Sequence, residues 1–286
     1  MVRQPRRWRL ASYTELVVGA HLCDRERMVR AARSLLVLGI VTSCGRLGFD
    51  PTIEHASVDG PVGDSTADGA ISGPAIADAI LYLPLSSAPQ GTSVVDRARG
   101  HDVRCAPTGC PRFVPDHGGS FEFVETGPEY LVAAYTADLD PATGFTVAVW
   151  VRLTSYPTAA NGYACLISKP VGSMDFDSYS LCIGWDAKVL FYTSTTTIQD
   201  YLSGSTVPLM SWHHLAITWD GTTKRGYIDG VEVISKPVNI AGDGQAIYIG
   251  ADFVSGAPQE PTTGRIDEVY VFGRALSGAE VVQLAM

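Results

Sequence analysis

Residues 211–233 read SWHHLAITWDGTTKRGYIDGVEV, and this stretch decides the fold of the chain. Aromatic and β-branched residues lead up to Asp220-Gly221 and again up to Asp229-Gly230. Asp-Gly between such runs predicts a tight hairpin turn, because the turn requires positive φ angles that glycine adopts without a steric penalty. Two such turns this close together predict three successive antiparallel strands, a β-meander.

From Ile76 to the C-terminus, the chain repeats short strand-like segments separated by turn residues. Residues 144–157 are almost continuously apolar, which is typical of a strand buried on both faces. Near the end, Ser277 and Glu280 have the spacing of a capping box and predict a short helix. The pattern predicts an all-β protein built as a double sheet. The other predicted strands are 79–85, 163–169, 178–185, 188–194, 245–253 and 263–276.

Residues 1–43 predict an upstream extension followed by a lipoprotein signal sequence. From Met28 the chain has a basic segment, an apolar run too short to span a bilayer, and then Val41-Thr42-Ser43-Cys44. This order resembles the lipobox of bacterial lipoproteins. It implies a start at Met28 rather than Met1, acylation of Cys44, and an outer-membrane envelope location. The alternatives are an ordinary signal sequence or a cytosolic apolar patch. Residues 44–75 are rich in Gly, Pro, Ser and Asp and predict a flexible tether.

The charge balance limits the class of partner. The chain has 30 acidic and 21 basic side chains, a net charge of -9, and many of its arginines lie in the first third. Because an acidic folded part repels phosphate, the composition argues against nucleic acid as a partner. The six cysteines form no C-x-x-C pair of the kind that holds zinc or a redox couple. They are Cys23, Cys44, Cys105, Cys110, Cys165 and Cys182.

The meander and five further motifs resemble the laminin G-like, concanavalin A-like jelly-roll family. The resemblance covers residues 79–285 and implies a jelly-roll β-sandwich of two antiparallel sheets over residues 76–286. The last motif, TGRIDEVYVFGRALSGAEV, is the most specific. The other four are VVDRARGHD, GGSFEFVETGPEYL, FTVAVWVRL and ISKPVGSMDFDSYSLCI.

Enzymes on this fold carry two neighbouring carboxylates, because glycoside hydrolysis requires an acid and a base or nucleophile around one bond. Asp175 and Asp177 lie in a Gly/Ser-rich connection and are expected to be exposed turn carboxylates. Glu122 and Glu125 have odd spacing, so a regular strand turns them to opposite faces. The sequence therefore favours a non-catalytic binding module. The alternatives are a polysaccharide hydrolase or lyase, and a purely structural surface protein.

A binding module of this type is expected to recognise carbohydrate or a cell-surface protein through aromatic side chains with polar neighbours. Three connections offer such residues, and ordinary loop packing is the alternative for each of them. The candidate ligand-binding residues are Tyr156, Tyr163, Asp175, Phe176, Asp177, Tyr179 and Phe253.

The family resemblance also implies one structural calcium ion. The aspartate of the G-x-I-D-E motif, here Asp267, would supply a carboxylate, and backbone near Gly119 would supply a carbonyl. Calcium binds such oxygen ligands. The alternative is an aspartate that accepts hydrogen bonds from loop amides.

Export permits disulfide formation. Cys105 and Cys110 enclose a turn that contains Pro and Gly, while Cys165 and Cys182 lie on successive predicted strands where antiparallel pairing can place them opposite each other. The predicted pairs are therefore Cys105–Cys110 and Cys165–Cys182, with buried free thiols as the alternative. Trp150, Trp212 and Trp219 lie among apolar neighbours and are predicted to be core residues.

Overall fold

The computed structural model describes residues 77–127, 129–140, 142–171, 176–194, 202–242 and 244–286. The predicted signal sequence, the acylated Cys44, the tether and Asp175 lie outside the described residues and stay predictions. Within the described part of the chain, no helix is long and apolar enough to cross a membrane.

The described residues form eighteen strands, one short 3-10 helix and one α-helix. The strands are β1 (Ala79–Leu83), β2 (Ser93–Val94), β3 (Val103–Cys105), β4 (Arg112–Val114), β5 (Ser120–Phe123), β6 (Leu131–Ala133), β7 (Phe145–Leu153), β8 (Tyr163–Pro170), β9 (Asp177–Gly184), β10 (Lys188–Tyr192), β11 (Leu202–Thr206), β12 (His213–Trp219), β13 (Thr223–Ile228), β14 (Val231–Pro237), β15 (Ile247–Ile249), β16 (Asp252–Val254), β17 (Ala257–Gln259) and β18 (Gly264–Phe272). The 3-10 helix is Ala137–Leu139, and the α-helix, α1, is Gly278–Leu284.

Sheet A contains the predicted meander. Its strand order is β14-β13-β12-β7-β18-β5-β4, and β1 also pairs with β18. Strands β12, β13 and β14 pair antiparallel in succession, which confirms the meander. Asp229 and Gly230 both have positive φ angles, 50° and 76°, as the tight turn between β13 and β14 requires.

Sheet B has the order β11-β10-β9-β8-β15-β6-β3-β2. All of its pairs are antiparallel, as are those of sheet A, so the predicted double sheet is confirmed. A separate hairpin, β16–β17, follows β15.

Along β7 and β9, one side chain in two points into the space between the sheets. From β7 the core receives Phe145, Val147, Val149, Val151 and Leu153, and all five are buried. From β9 it receives the alternate residues Tyr179, Leu181 and Ile183. The period-2 alternation of a strand produces this arrangement, since successive side chains leave opposite faces.

The α-helix α1 covers part of the other face of sheet A. Ala148 of β7 and Tyr270 of β18 are buried there together with Val281 and Leu284 of the helix. Ser277 caps this helix, because its side chain accepts a hydrogen bond from the Glu280 amide and the Glu280 side chain accepts one from the Ser277 amide. The predicted capping box and the two-sided burial of the long apolar strand are confirmed.

Only one of the three predicted core tryptophans lies in the core. Trp219 is 6% exposed and donates its Nε1 hydrogen bond to the Val238 carbonyl over 3.2 Å. Trp150 and Trp212 are half-buried and pack around His117, at ring distances of 5.0 Å and 4.4 Å. The prediction for these two is wrong, because Trp150 leaves β7 on the face opposite to Val149 and Val151, and Trp212 precedes β12.

Candidate functional site

A cavity of about 590 Å³ lies against the outer face of sheet B. Ser180 and Cys182, which alternate with the core residues of β9, line it. Tyr163 of β8 and the side chains of Leu190 and Tyr192 of β10 form part of the same wall. The β16–β17 hairpin and the residues directly after it close the opposite side, where Asp252, Val254 and residues 258–261 line the space.

A disulfide lies in the sheet wall of this cavity. Antiparallel pairing of β8 with β9 places Cys165 opposite Cys182, and the two cysteines are bonded with a Cα–Cα distance of 4.0 Å. Glu260 Oε2 lies 3.1 Å from Cys165 Sγ. Three potential ligand atoms thus lie within 4.8 Å of one another, but the two sulfurs are bonded to each other and offer no thiolate to a metal.

The second disulfide lies away from the cavity. Cys105 and Cys110 are bonded across the turn that contains Pro and Gly, with a Cα–Cα distance of 4.8 Å. Both predicted pairs are therefore confirmed.

Two buried carboxyl groups meet inside the cavity. Asp177 is 6% exposed and Asp252 is 8% exposed, and the two side chains are hydrogen-bonded to each other. Burial raises the pKa of Asp177 well above its usual value, and the charges of Asp252 and Glu260 raise this pKa further. Ser180 donates a hydrogen bond to Asp177, which acts in the opposite direction.

The expectation that Asp177 is an exposed turn carboxylate is wrong. Strand β9 begins at Asp177, which pairs with Pro170 of β8, so the residue lies inside the sheet. The other two carboxylates, Glu122 and Glu125, are also apart, but the spacing argument does not apply to them because β5 ends at Phe123 and Glu125 lies beyond the strand. Glu122 forms ion pairs with Arg112 and Arg265 on the outer face of sheet A, while Glu125 lines the cavity.

Tyr163 and Asp177 are the predicted ligand-binding residues that line the cavity. Tyr156 is half-buried, and its hydroxyl donates to the Val207 carbonyl over 2.8 Å. Phe253 stacks on Tyr248 at a ring distance of 4.4 Å. Phe176 is half-buried beside the start of β9.

Tyr179 is not an exposed loop aromatic. It is 1% exposed, belongs to β9 and stacks on Phe145 at a ring distance of 4.7 Å between the two sheets. The prediction that Tyr179 is a ligand-binding residue in a connection is therefore wrong. Tyr179 lies two and four residues before Leu181 and Ile183 on β9, so the alternation of the strand turns all three side chains into the core.

The predicted calcium ligands lie on the outer face of sheet A. Asp267 is 2% exposed; its Oδ2 lies 2.9 Å from His117 Nδ1, and its Oδ1 accepts a hydrogen bond from the Glu268 amide. Burial raises the pKa of Asp267 to about 6. Gly119 has a φ of 125° and packs closely against the Ser86 backbone. Calcium requires oxygen ligands, and each carboxylate oxygen of Asp267 already contacts one nitrogen atom of the protein. The calcium site stays a prediction.

The cavity also contains residues that sequence reasoning missed. Ser180, Tyr192 and Glu260 line it, although nothing in their local sequence distinguishes them from other strand and turn residues. Asp252 directly precedes Phe253, a predicted ligand-binding residue. The sequence therefore indicated this segment, but it did not indicate that the Asp252 carboxyl group lines the cavity. These residues come from three separate segments, and only the tertiary fold brings them together.

Three solved structures illustrate how widely this fold occurs. Domain 4 of the extracellular arabinanase AbnA from Geobacillus stearothermophilus, solved with arabinotriose, has a TM-score of 0.58 at 18% identity, over 73% of this chain and 98% of that domain. The botulinum neurotoxin serotype G binding domain gives 0.55 at 16% identity, over 72% of this chain and 50% of its own. Trypanosoma rangeli sialidase gives 0.55 at 18% identity, over 73% and 32%.

These similarities establish a shared fold and no shared activity, since the identities are low and the chain spans about half of the toxin domain and about a third of the sialidase. No curated protein sequence matches the chain. The family model for the concanavalin A-like lectin/glucanases superfamily, Laminin_G_3, matches residues 126–282, more than half of the chain. Together with the two antiparallel sheets, this match shows that the chain belongs to the Laminin_G_3 family of concanavalin A-like jelly-roll proteins.

Proposed function

We propose that the chain is a carbohydrate-binding module and that the cavity on sheet B is its binding site. The main support for this proposal is the cavity itself, whose volume of about 590 Å³ falls in the usual range for small-ligand pockets. Its walls combine the rings of Tyr163 and Tyr192 with carboxyl and amide side chains. Aromatic rings pack against the apolar face of a sugar, while carboxylates accept hydrogen bonds from its hydroxyl groups.

The fold neighbours support this proposal without identifying a sugar. One of them is a domain solved with arabinotriose, and another is a toxin binding domain. Because loops carry specificity on a shared fold, the ligand has to come from experiment.

A glycan array probed with the full-length chain tests the proposal. We expect at least one glycan to bind, and we expect Tyr163→Ala to weaken that binding about tenfold or more, because the ring lines the cavity. The matched control is Tyr135→Ala, which removes a tyrosine that is 43% exposed and lies outside the cavity lining. Equal loss in both variants, or no loss in Tyr163→Ala, would exclude the cavity as the site.

Two disulfides favour an oxidising, extracytoplasmic compartment. The more specific location, a lipid anchor on Cys44 in the bacterial outer membrane, is part of the proposal and has the lipobox resemblance as its support. One acyl chain binds a membrane only weakly, whereas two anchor a protein stably. We therefore expect Cys44, acylated in this way, to keep the protein in the membrane fraction. If Cys44→Ala stays in that fraction, the anchor is excluded.

Glycoside hydrolysis is the second candidate, and the buried carboxyl pair favours it. A carboxyl group with a raised pKa beside a second carboxyl group is a common arrangement for acid catalysis. The carboxyl groups of Asp177 and Asp252 are, however, directly hydrogen-bonded. They are therefore closer together than the two catalytic carboxyl groups of retaining glycosidases, which are about 5–5.5 Å apart. Release of new reducing ends from an array-positive glycan, abolished in Asp177→Asn, would establish hydrolysis. Intact glycan after prolonged incubation would exclude it for that glycan.

A further inference from the structure

Among the described residues, the titratable side chains that line the cavity are acidic groups, and none of them carries a positive charge. Apart from the disulfide-bonded cysteine, they are the two tyrosines and the four carboxyl groups of Glu125, Asp177, Asp252 and Glu260. Carboxylates near one another disfavour ionisation, and a cation placed among them relieves the repulsion. An anionic sugar, such as a uronic or sialic acid, would add to the repulsion instead. The lining therefore selects ligands by charge.

The carboxyl groups differ in depth, and this sets where a cation would lie. Asp177 and Asp252 are nearly fully buried, whereas Glu260 is half-buried and Glu125 is exposed. Charge interactions strengthen as water is excluded, so the Asp177–Asp252 end of the cavity attracts a positive group more strongly than the outer end does. Burial and the neighbouring charges already raise the pKa of Asp177, so the hydrogen-bonded pair of Asp177 and Asp252 shares a proton, which a bound ammonium group would displace.

The other walls of the cavity indicate which kind of ligand carries the positive group. Carboxylates alone do not make a ligand site, but here they line a cavity of about 590 Å³ together with Tyr163, Tyr192, Leu190 and the buried disulfide. This side is apolar and aromatic, suited to the face of a ring. A compact ammonium group on a sugar ring satisfies both sides at once, since it donates three hydrogen bonds to carboxylate oxygens while the ring packs on the tyrosines.

We infer that the cavity binds a glycan residue with a protonated amine, its ammonium group against Asp177, Asp252 and Glu260 and its ring against Tyr163 and Tyr192. This inference rests on the proposed carbohydrate-binding function and specifies the class of sugar. The amine distinguishes the ligand from neutral sugars, and the ring distinguishes it from linear polyamines.

The experiment compares ligands that differ in one group. Titration calorimetry at about pH 6, where an amine of this type is protonated, measures the full-length chain against the glucosamine trimer, its fully N-acetylated form, cellotriose and spermidine. Charge-assisted hydrogen bonds are stronger than neutral ones, so we expect the glucosamine trimer to bind about 10- to 100-fold more tightly than the acetylated trimer. Cellotriose should bind no more tightly than the acetylated trimer, and spermidine more weakly than the glucosamine trimer.

Two isosteric variants test the role of the carboxylates. Asp252→Asn and Glu260→Gln each remove one cavity charge, and each should reduce the preference for the amine over the N-acetyl form by about tenfold. The second variant carries the test if the first one fails to fold, because Glu260 is the less buried residue. The matched control is Asp102→Asn, which removes one charge from an exposed ion pair with Arg104 outside the cavity. It should leave the preference unchanged.

The outcomes separate this inference from the proposed function. One outcome is that a neutral sugar binds, that Tyr163→Ala abolishes this binding, and that the glucosamine trimer binds no more tightly than the neutral sugar. This outcome would exclude recognition of the amine and leave carbohydrate binding standing. If spermidine binds as tightly as the glucosamine trimer, the sugar ring is excluded. If none of these sugars and no array glycan binds, the proposed function fails as well. An unchanged amine preference in both Asp252→Asn and Glu260→Gln would remove the carboxylates from recognition.

Discussion

A helix covers part of the outer face of sheet A, whereas the outer face of sheet B forms one wall of a cavity. On sheet A, Ala148, Tyr270 and their neighbours are buried under Val281 and Leu284 of α1. On sheet B, the β16–β17 hairpin leaves about 590 Å³ between itself and the strands, lined by carboxyl and tyrosine side chains. Both sheets obey the same alternation. The comparison shows that the element lying over a sheet decides whether its outer residues stabilise the fold or are available to a ligand.

The largest expected effect breaks the covered face. Leu284 is 2% exposed on α1, so Leu284→Ala should lower the free energy of unfolding by about 2–5 kcal/mol through lost burial and a cavity. Val282 lies on the same helix and is 43% exposed, so Val282→Ala should change stability by less than about 0.5 kcal/mol. Denaturant unfolding measures both. Equal effects would mean that the helix does not stabilise sheet A.

The next effect concerns the wall of the open face. Replacing Cys165 and Cys182 together by Ala should lower the free energy of unfolding by about 3 kcal/mol, because the bond closes a 17-residue separation in the unfolded chain. The Cys105–Cys110 pair closes a separation of only 5 residues, so its double Ala variant should lose about 2 kcal/mol. Equilibrium unfolding of both variants tests the order. A larger loss from the shorter loop would contradict it.

On the outer face of sheet A, we expect a pH dependence of the free energy of unfolding of similar size. His214 is fully buried on sheet A, and this burial lowers its pKa from 6.5 to about 4. A proton therefore binds the unfolded chain more tightly than the folded one. The free energy of unfolding should fall by about 3 kcal/mol as the pH drops from about 6.5 to about 4.

His214→Leu should remove this component of the pH dependence. Asp267 contributes with the opposite sign, because burial raises its pKa to about 6, but it is present in both proteins and cancels in the difference. Urea titrations of wild type and variant between about pH 7 and 4 provide the comparison. Parallel curves would show that His214 binds protons equally well in the folded state.

The smallest expected effect is on the open face and has the opposite sign. Asp177→Asn removes a buried carboxyl group whose pKa burial has raised, so it should stabilise the fold at pH 7 by about 0.5–2 kcal/mol. The gain should disappear in acid, where Asp177 is already protonated. Asp102→Asn, outside the cavity, should show no such pH-dependent gain. A stability loss in Asp177→Asn at pH 7 would make this residue structural.

The sequence by itself determined the features that depend on segments close to one another along the chain. Asp220-Gly221 and Asp229-Gly230 predicted the β12–β13–β14 meander, Ser277 and Glu280 predicted the helix cap, and both disulfides joined cysteines that are close in sequence. These features follow from turn chemistry, capping and the pairing of consecutive strands, all of which act over a few residues. The motif order then placed the chain in a jelly-roll family.

Only the tertiary structure decided which side chains reach the cavity. Asp177, Asp252 and Glu260 come from different segments, and their approach depends on how the β16–β17 hairpin lies over sheet B. The same limit explains Trp150 and Tyr179, whose exposure was predicted wrongly. Because successive strand residues point to opposite faces, the strand start and the register decide where each ring lies, and the elements packed over each face decide whether it is buried.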